Sequence, residues 1–287
     1  MSDERLDLLD ALVYGDVFDC AVSLDEAWRY ARVAVDREEL RRRLRDEPLV
    51  VERDGLYCLA GREELLARRH ERMQRAARLE RRARRVARVL RRFPFVRGLA
   101  LTGTAAAGDA GPDDDVDLLV TVADGRLGTA FLLLGPLSRL VGRKVFCPNY
   151  YVCEGRLDLG PGNLYLAREL AQARPLAGDA DALWRTNPWL AETFPNASPP
   201  PPVPERPSRL QRVLEALIGG RVEGWARGVA TSRLRAHYGT VPAEVTDAFA
   251  AGTALRFHGS GVSGRTLDRY AARRAELAAR LAHERVA

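Results

Sequence analysis

Apolar residues recur along this chain in two rhythms, and the change from one to the other divides it. Leu6, Leu9, Leu12 and Val13 fall on one stripe at three- and four-residue steps and predict a helix over residues 5–15. Ser23 with Glu26 forms the capping-box spacing for a second helix carrying Ala27, Trp28 and Tyr30. Asp36 with Glu39 repeats that spacing for a third helix, Arg37 to Asp46. The rhythm then shortens. Leu49 to Val51 and Leu56 to Leu59 flank Asp54-Gly55, a strong hairpin signal. From 62 to 92 no glycine or proline interrupts the chain, and Leu65, Leu66, Met73, Ala76, Leu79, Ala83, Val86 and Leu90 return at helical steps on an arginine-rich rod.

The next stretch, Gly98 to Val122, reads as strand, turn and strand. Leu99, Ala100 and Leu101 form one short apolar run, and Val116, Leu118, Leu119 and Val120 form another, interrupted by Asp117. Leu127 to Val141 predicts an apolar helix broken near Gly135-Pro136. Residues 144–153 predict a further strand, in which Pro148 marks an edge or a bulge. Asn163 to Gln172 predicts an amphipathic helix, and 179–194 one more, interrupted at Asn187-Pro188. Prolines crowd residues 198–207 into a semi-rigid linker without helix or sheet. Helical stripes resume at Leu210, Val213, Leu214, Leu217 and Ile218, and again at Leu267, Tyr270, Ala271, Leu277 and Leu281. His258 lies between them and reads as structural.

Composition narrows the class. A chain of 287 residues exceeds one typical domain and supports a real core. No apolar run approaches the length of a membrane span, and the acidic start MSDERLDLLD does not resemble a secretory leader. Cys20, Cys58, Cys147 and Cys153 show neither a CxxC pair nor a ligand spacing with histidine, so buried thiols in a reducing cytoplasm are expected. The net charge of +6 is nearly all arginine, since Lys144 is the sole lysine. The arginine-rich rod fits either a solvated connector or a surface for a polyanion such as tRNA, and it lacks the interleaved aromatics of single-strand binders.

The chemistry concentrates at the strand–turn–strand. Asp115 and Asp117 are two apart, so on an extended chain their carboxylates share one face. They repel each other unless a cation sits between them, and oxygen ligation of this kind suits Mg²⁺ or Mn²⁺. Gly103 lets the backbone approach a ligand closely, and the Thr104 hydroxyl adds a donor. The alternative, a solvated acidic turn, leaves the apolar surroundings of Asp117 unexplained.

Gly103-Thr104, the ten residues 105–114, and then Asp115-x-Asp117 resemble the Gly-Ser-x10-Asp-x-Asp signature of the nucleotidyltransferase superfamily related to DNA polymerase beta, with threonine in place of serine. The three N-terminal helices and hairpin look like a winged helix. FPFVRGLALTGTAAAG, VFCPNYYV, LYLARELAQARPLAGD and NPWL are similar to segments of bacterial nucleotidyltransferase-domain proteins that carry such a winged helix. The resemblance implies an α+β fold, with a small mixed sheet and helices mainly on one side of it. It implies a winged-helix domain at 1–61, a connecting helix at 62–95, the nucleotidyltransferase core at 96–197, the linker at 198–207 and a helical region at 208–287. Gly103, Thr104 and Lys144 would contact a nucleoside triphosphate, and Asp115 and Asp117 would be catalytic and hold the metal. The expected reaction moves a nucleoside monophosphate to an unidentified acceptor: a small molecule, an RNA end or a protein. A weakly active or inactive nucleotide- or nucleic-acid-binding relative is the alternative.

Two departures qualify the expectation. The family supplies a third carboxylate from a later strand, whereas Lys144, Val145, Phe146, Cys147 and Asn149 offer no acid there, and Glu154 and Asp158 lie just past it. On the third helix, Arg41, Arg42, Arg43 and Arg45 would face DNA, but Glu38, Glu39, Asp46 and Glu47 dilute them, so weak or no duplex binding is expected.

Overall fold

The computed structural model describes residues 2–160, 162–179, 181–203, 207–237, 243–252, 254–256 and 260–284. The chain opens with α1 (Ser2–Val17), β1 (Val22–Ser23), α2 (Leu24–Arg29) and α3 (Arg37–Arg45), then the hairpin of β2 (Val50–Arg53) and β3 (Leu56–Leu59). Ser23 closes a full capping box with Glu26. Asp36 caps α3 by accepting from the amides of Glu38 and Glu39, while the Glu39 carboxylate bonds Arg42 and Arg43 instead of returning to the cap. Asp54 (φ 55°) and Gly55 (φ 75°) are both left-handed, as a two-residue hairpin turn requires. The strands form a sheet in the order β1-β3-β2.

After α4 (Glu64–Leu90), β4 (Val96–Leu101), α5 (Gly103–Ala106), β5 (Asp117–Val122), α6 (Leu127–Val141), β6 (Cys147–Cys153), α7 (Leu164–Gln172) and β7 (Arg174–Ala177) follow. The buried stripe of α4 runs through Leu65, Leu66, Ala76, Leu79, Ala83, Ala87 and Leu90, whereas Met73, expected in it, is exposed. The short helices α8 (Asp181–Thr186) and α9 (Trp189–Thr193) are split at Asn187-Pro188, as the sequence predicts. Then come α10 (Arg209–Ile218), α11 (Val222–His237), α12 (Ala243–Ala250), β8 (Ala254–Arg256) and α13 (Ser260–Glu284). The result is an α+β protein with a second, five-stranded sheet in the order β7-β4-β5-β6-β8. That sheet is mixed: β5 and β6 run parallel and the other pairings are antiparallel.

Several expectations need correction. Helices cover both faces of the five-stranded sheet rather than mainly one. Leu99, Leu101, Leu118, Val120 and Tyr151 pack with α4, α6 and α11, while Ala100, Leu119 and Val152 pack with α7, α8 and α9. The cause is the alternation of side chains along strands whose central positions, such as Leu99–Leu101 and Leu118–Val120, are apolar on both faces. The helix α6 is continuous through Pro136, which lies on its exposed side, where a proline bends a helix without breaking it. Pro148 marks a bulge opposite Leu118–Leu119, in keeping with the sequence, and β8 pairs with β6 only beyond it, from Tyr150 to Val152. The linker is not wholly free of sheet contacts, since Val203 makes an isolated bridge with Gly178. His258 lies outside the described residues.

The C-terminal elements are built into this framework. Glu223 of α11 accepts from the amides of Gly128 (2.8 Å) and Thr129 (2.9 Å) and so caps α6. The approach is close: a Cβ on Gly128 would lie 2.5 Å from the Arg227 backbone. Far along the chain, α13 lays Tyr270, Leu277 and Leu281 into the apolar core beneath α1, and the Tyr270 hydroxyl donates to the buried Asp10. No helix among the described residues is long and apolar enough to cross a membrane.

Candidate metal and nucleotide site

Three strands and one turn set the geometry. The amide of Thr102, at the end of β4, donates to the Asp117 carbonyl (3.0 Å), which places the turn at Gly103 directly over the start of β5. Gly103 is left-handed (φ 65°), and a Cβ there would stand 2.7 Å from Asp117 Oδ2. Both backbone conformation and space therefore demand glycine. On the other side, the parallel register pairs Asp117 with Cys147 of β6. Carboxylate oxygens of Asp115 and Asp117 and the Cys147 sulfur converge within 4.8 Å of one another, a group able to hold a metal ion.

Negative charge is crowded at this group. Burial and then the neighbouring carboxylates Asp115, Glu169 and Asp114 raise the Asp117 pKa from 3.8 to about 7, against a small opposing effect of Arg143. Glu169 is likewise raised to about 7 by burial, although it accepts a hydrogen bond from the Gly103 amide. Tyr165, one helical turn before Glu169 on α7, feels the charge of both Glu169 and Asp117 and is also raised. Burial pushes the Cys147 thiol up, and Arg143 Nη2, 3.6 Å from the sulfur, opposes this. Concentrated, poorly solvated negative charge fits a divalent cation.

The loop between the turn and Asp115 is anchored from outside. Asp109 is buried, and its two carboxylate oxygens pair with Arg69 (2.9 Å) and Arg72 (2.9 Å) of α4. Arg69 is itself buried and also pairs with Glu26 of α2 (2.7 Å). One guanidinium thus ties the loop to the N-terminal helices. Asp114 tightens the remainder by accepting from the Gly111 amide (2.8 Å).

Of the residues singled out from sequence, Gly103, Asp115 and Asp117 come together. Thr104 is exposed beside them, and its carbonyl accepts from the Asp109 amide. The other three stand apart. Lys144 is exposed and pairs with Asp113 (3.0 Å). Glu154 lies past the far end of β6, its amide on the Val122 carbonyl and its carboxylate 3.8 Å from Arg97. Seven residues of strand separate it from Cys147, a distance of roughly 20 Å. Asp158 is exposed and accepts from the Gly160 amide. Cys147 and Glu169 join the site without having been foreseen. The acid-free strand at 144–153 already held the first, and the second occupied a polar position on an amphipathic helix. Compared with protein-family models, with curated proteins and with solved structures, the chain matches none.

Proposed function

We propose that this chain is a divalent-metal-dependent nucleotidyltransferase that moves a nucleoside monophosphate from a nucleoside triphosphate to an acceptor hydroxyl, releasing pyrophosphate. One observation carries the reading: Asp115 and Asp117 meet beneath a left-handed glycine turn, where burial and neighbouring carboxylates disfavour the charged form of Asp117. In it, Asp115 and Asp117 hold Mg²⁺ or Mn²⁺, and Gly103 and Thr104 offer backbone and hydroxyl donors to the triphosphate. Such an ion, when bound, neutralises phosphate charge as it builds on the attacking and leaving oxygens. Glu169 positions the turn through the Gly103 amide. The acceptor is a small molecule, an RNA end or a protein side chain. The N-terminal helices and hairpin resemble a winged helix, but Arg37, Arg41, Arg42 and Arg43 are each paired with a carboxylate, which supports weak or absent duplex DNA binding.

A second reading, nucleotide binding with little turnover, is favoured by Cys147 standing where the resemblance calls for a carboxylate. One experiment separates the two. The purified protein is incubated with each labelled triphosphate and Mg²⁺ or Mn²⁺, following binding, pyrophosphate and label transfer. Transfer with pyrophosphate release supports the first reading, and metal-dependent binding without pyrophosphate supports the second. Triphosphate affinity unchanged by EDTA would sink both.

A further inference from the structure

The turn that leads from α6 into β6 carries two cations, Arg143 and Lys144, and they meet different neighbours. At the end of α6 the Gly142 carbonyl accepts from the Val145 amide (2.8 Å). The Ser138 hydroxyl donates to the Phe146 carbonyl (2.6 Å), and the Cys147 amide donates to the Val116 carbonyl (2.7 Å). Residues 142–147 are thus pinned to α6 on one side and to the approach of β5 on the other. Lys144 brings its ammonium to Asp113 (3.0 Å), and both side chains are open to solvent. Its carbonyl accepts from Arg82 of α4 (3.0 Å).

Arg143 is placed otherwise. Its Nη2 lies 3.6 Å from the Cys147 sulfur, which itself lies within 4.8 Å of carboxylate oxygens of Asp115 and Asp117. The guanidinium therefore borders the group able to hold a metal, and its charge opposes the rise in the Asp117 pKa. A cation there acts in opposite directions on two ligands. It repels a divalent ion that arrives alone. It attracts a triphosphate, whose several negative charges suffice for an arginine and a metal together, and its planar fork matches phosphate oxygens. Unlike the buried Cys147, Arg143 is exposed and so open to a ligand from solvent.

We propose that Arg143, rather than Lys144, is the side-chain cation that binds the phosphates of the triphosphate. The inference rests on the nucleotide reading of the acidic site and assigns a phosphate-binding residue within it.

The probes are Mn²⁺ alone and preformed Mn²⁺–tripolyphosphate, which carries no base, each titrated into the full chain by calorimetry. The wild type should bind the complex saturably at millimolar or lower concentration, and tripolyphosphate in EDTA more weakly. Arg143→Gln should weaken the complex about ten- to a hundredfold, as loss of a charge-assisted bond implies, and bind Mn²⁺ alone at least as tightly as the wild type. Arg143→Lys keeps the charge without the fork and should fall between. Lys144→Gln should change binding of the complex by less than about threefold. Wild-type affinity for the complex in Arg143→Gln, or an equal loss in Lys144→Gln, would overturn the assignment and leave the reading of the site standing. A loss of Mn²⁺ binding in Arg143→Gln as large as the loss of the complex would also overturn it, because Arg143 would then only shape the metal site. Wild-type protein that binds tripolyphosphate equally with Mn²⁺ and in EDTA would overturn the reading of the site, and this assignment with it.

Discussion

Replacing Asp117 by asparagine should make the metal-free protein more stable while abolishing metal binding. In the folded protein, burial and adjacent carboxylates raise this carboxyl from 3.8 to about 7. Such a group contributes stability that is fully present below pH 4 and is lost as pH rises through 7. At about 1.4 kcal/mol per pH unit separating the two values, charging Asp117 costs about 4 kcal/mol at pH 8 and about 2 kcal/mol at pH 5. Asparagine keeps the shape without the charge, so in EDTA its advantage over the wild type should follow those figures and vanish near pH 4. They are ceilings, because the loop before β5 can relax when the site is charged. Urea unfolding at pH 4, 5 and 8 measures the gap. Adding Mn²⁺ or Mg²⁺ at pH 8 should stabilise the wild type alone and close it. A gap that does not change with pH, or a variant less stable than the wild type at pH 8, would refute the reasoning.

Three other outcomes follow from the same geometry. Gly103→Ala forces a left-handed alanine and a Cβ onto Asp117 Oδ2, so a loss of about 1–3 kcal/mol in denaturant unfolding is expected, with weaker metal binding in calorimetry. If Cys147 ligates, Cd²⁺ should give a thiolate-to-metal ultraviolet band in the wild type that Cys147→Ser lacks, while Cys147→Asp should bind Mg²⁺ more tightly than the wild type; a band persisting in the serine variant would exclude sulfur. Arg69→Met strips the buried Asp109 and Glu26 of a shared partner and should cost about 3–5 kcal/mol by urea unfolding; a loss below about 1 kcal/mol would show that Arg72 suffices for Asp109.

What could be read in the chain beforehand was local. The capping box at Ser23, the Asp54-Gly55 turn, the long uninterrupted rod and the Gly103 to Asp117 spacing each depend on residues close in sequence, where backbone chemistry decides the outcome. What escaped was decided by partners far away. Strand β7 follows α7 after one residue and carries Pro175, a position tolerable because β7 is the sheet's edge. Strand β8 is three residues long and is recruited by β6 from more than a hundred positions downstream. Cys147 reaches the acids only through the register of β5 on β6, and Glu169 only through the docking of α7 against the Gly103 turn. Helix α1 shows the same effect: a single apolar stripe was legible, yet Leu8, Ala11 and Tyr14 are buried as well, because other elements close over its remaining faces.

The seating of α13 on α1 also imposes a timetable on synthesis. The hydroxyl that bonds Asp10 belongs to a residue 260 positions later, and Leu277 and Leu281 complete the same apolar cluster. At about 5–20 residues per second, a ribosome needs roughly a quarter of a minute to a minute to deliver Tyr270 after Asp10 has emerged. Throughout that interval the nascent α1 has one wall of its core missing, and a buried carboxylate without its donor. Helix α1, made well before α13, is therefore finished only after it, and in the interval it needs protection from association with other chains.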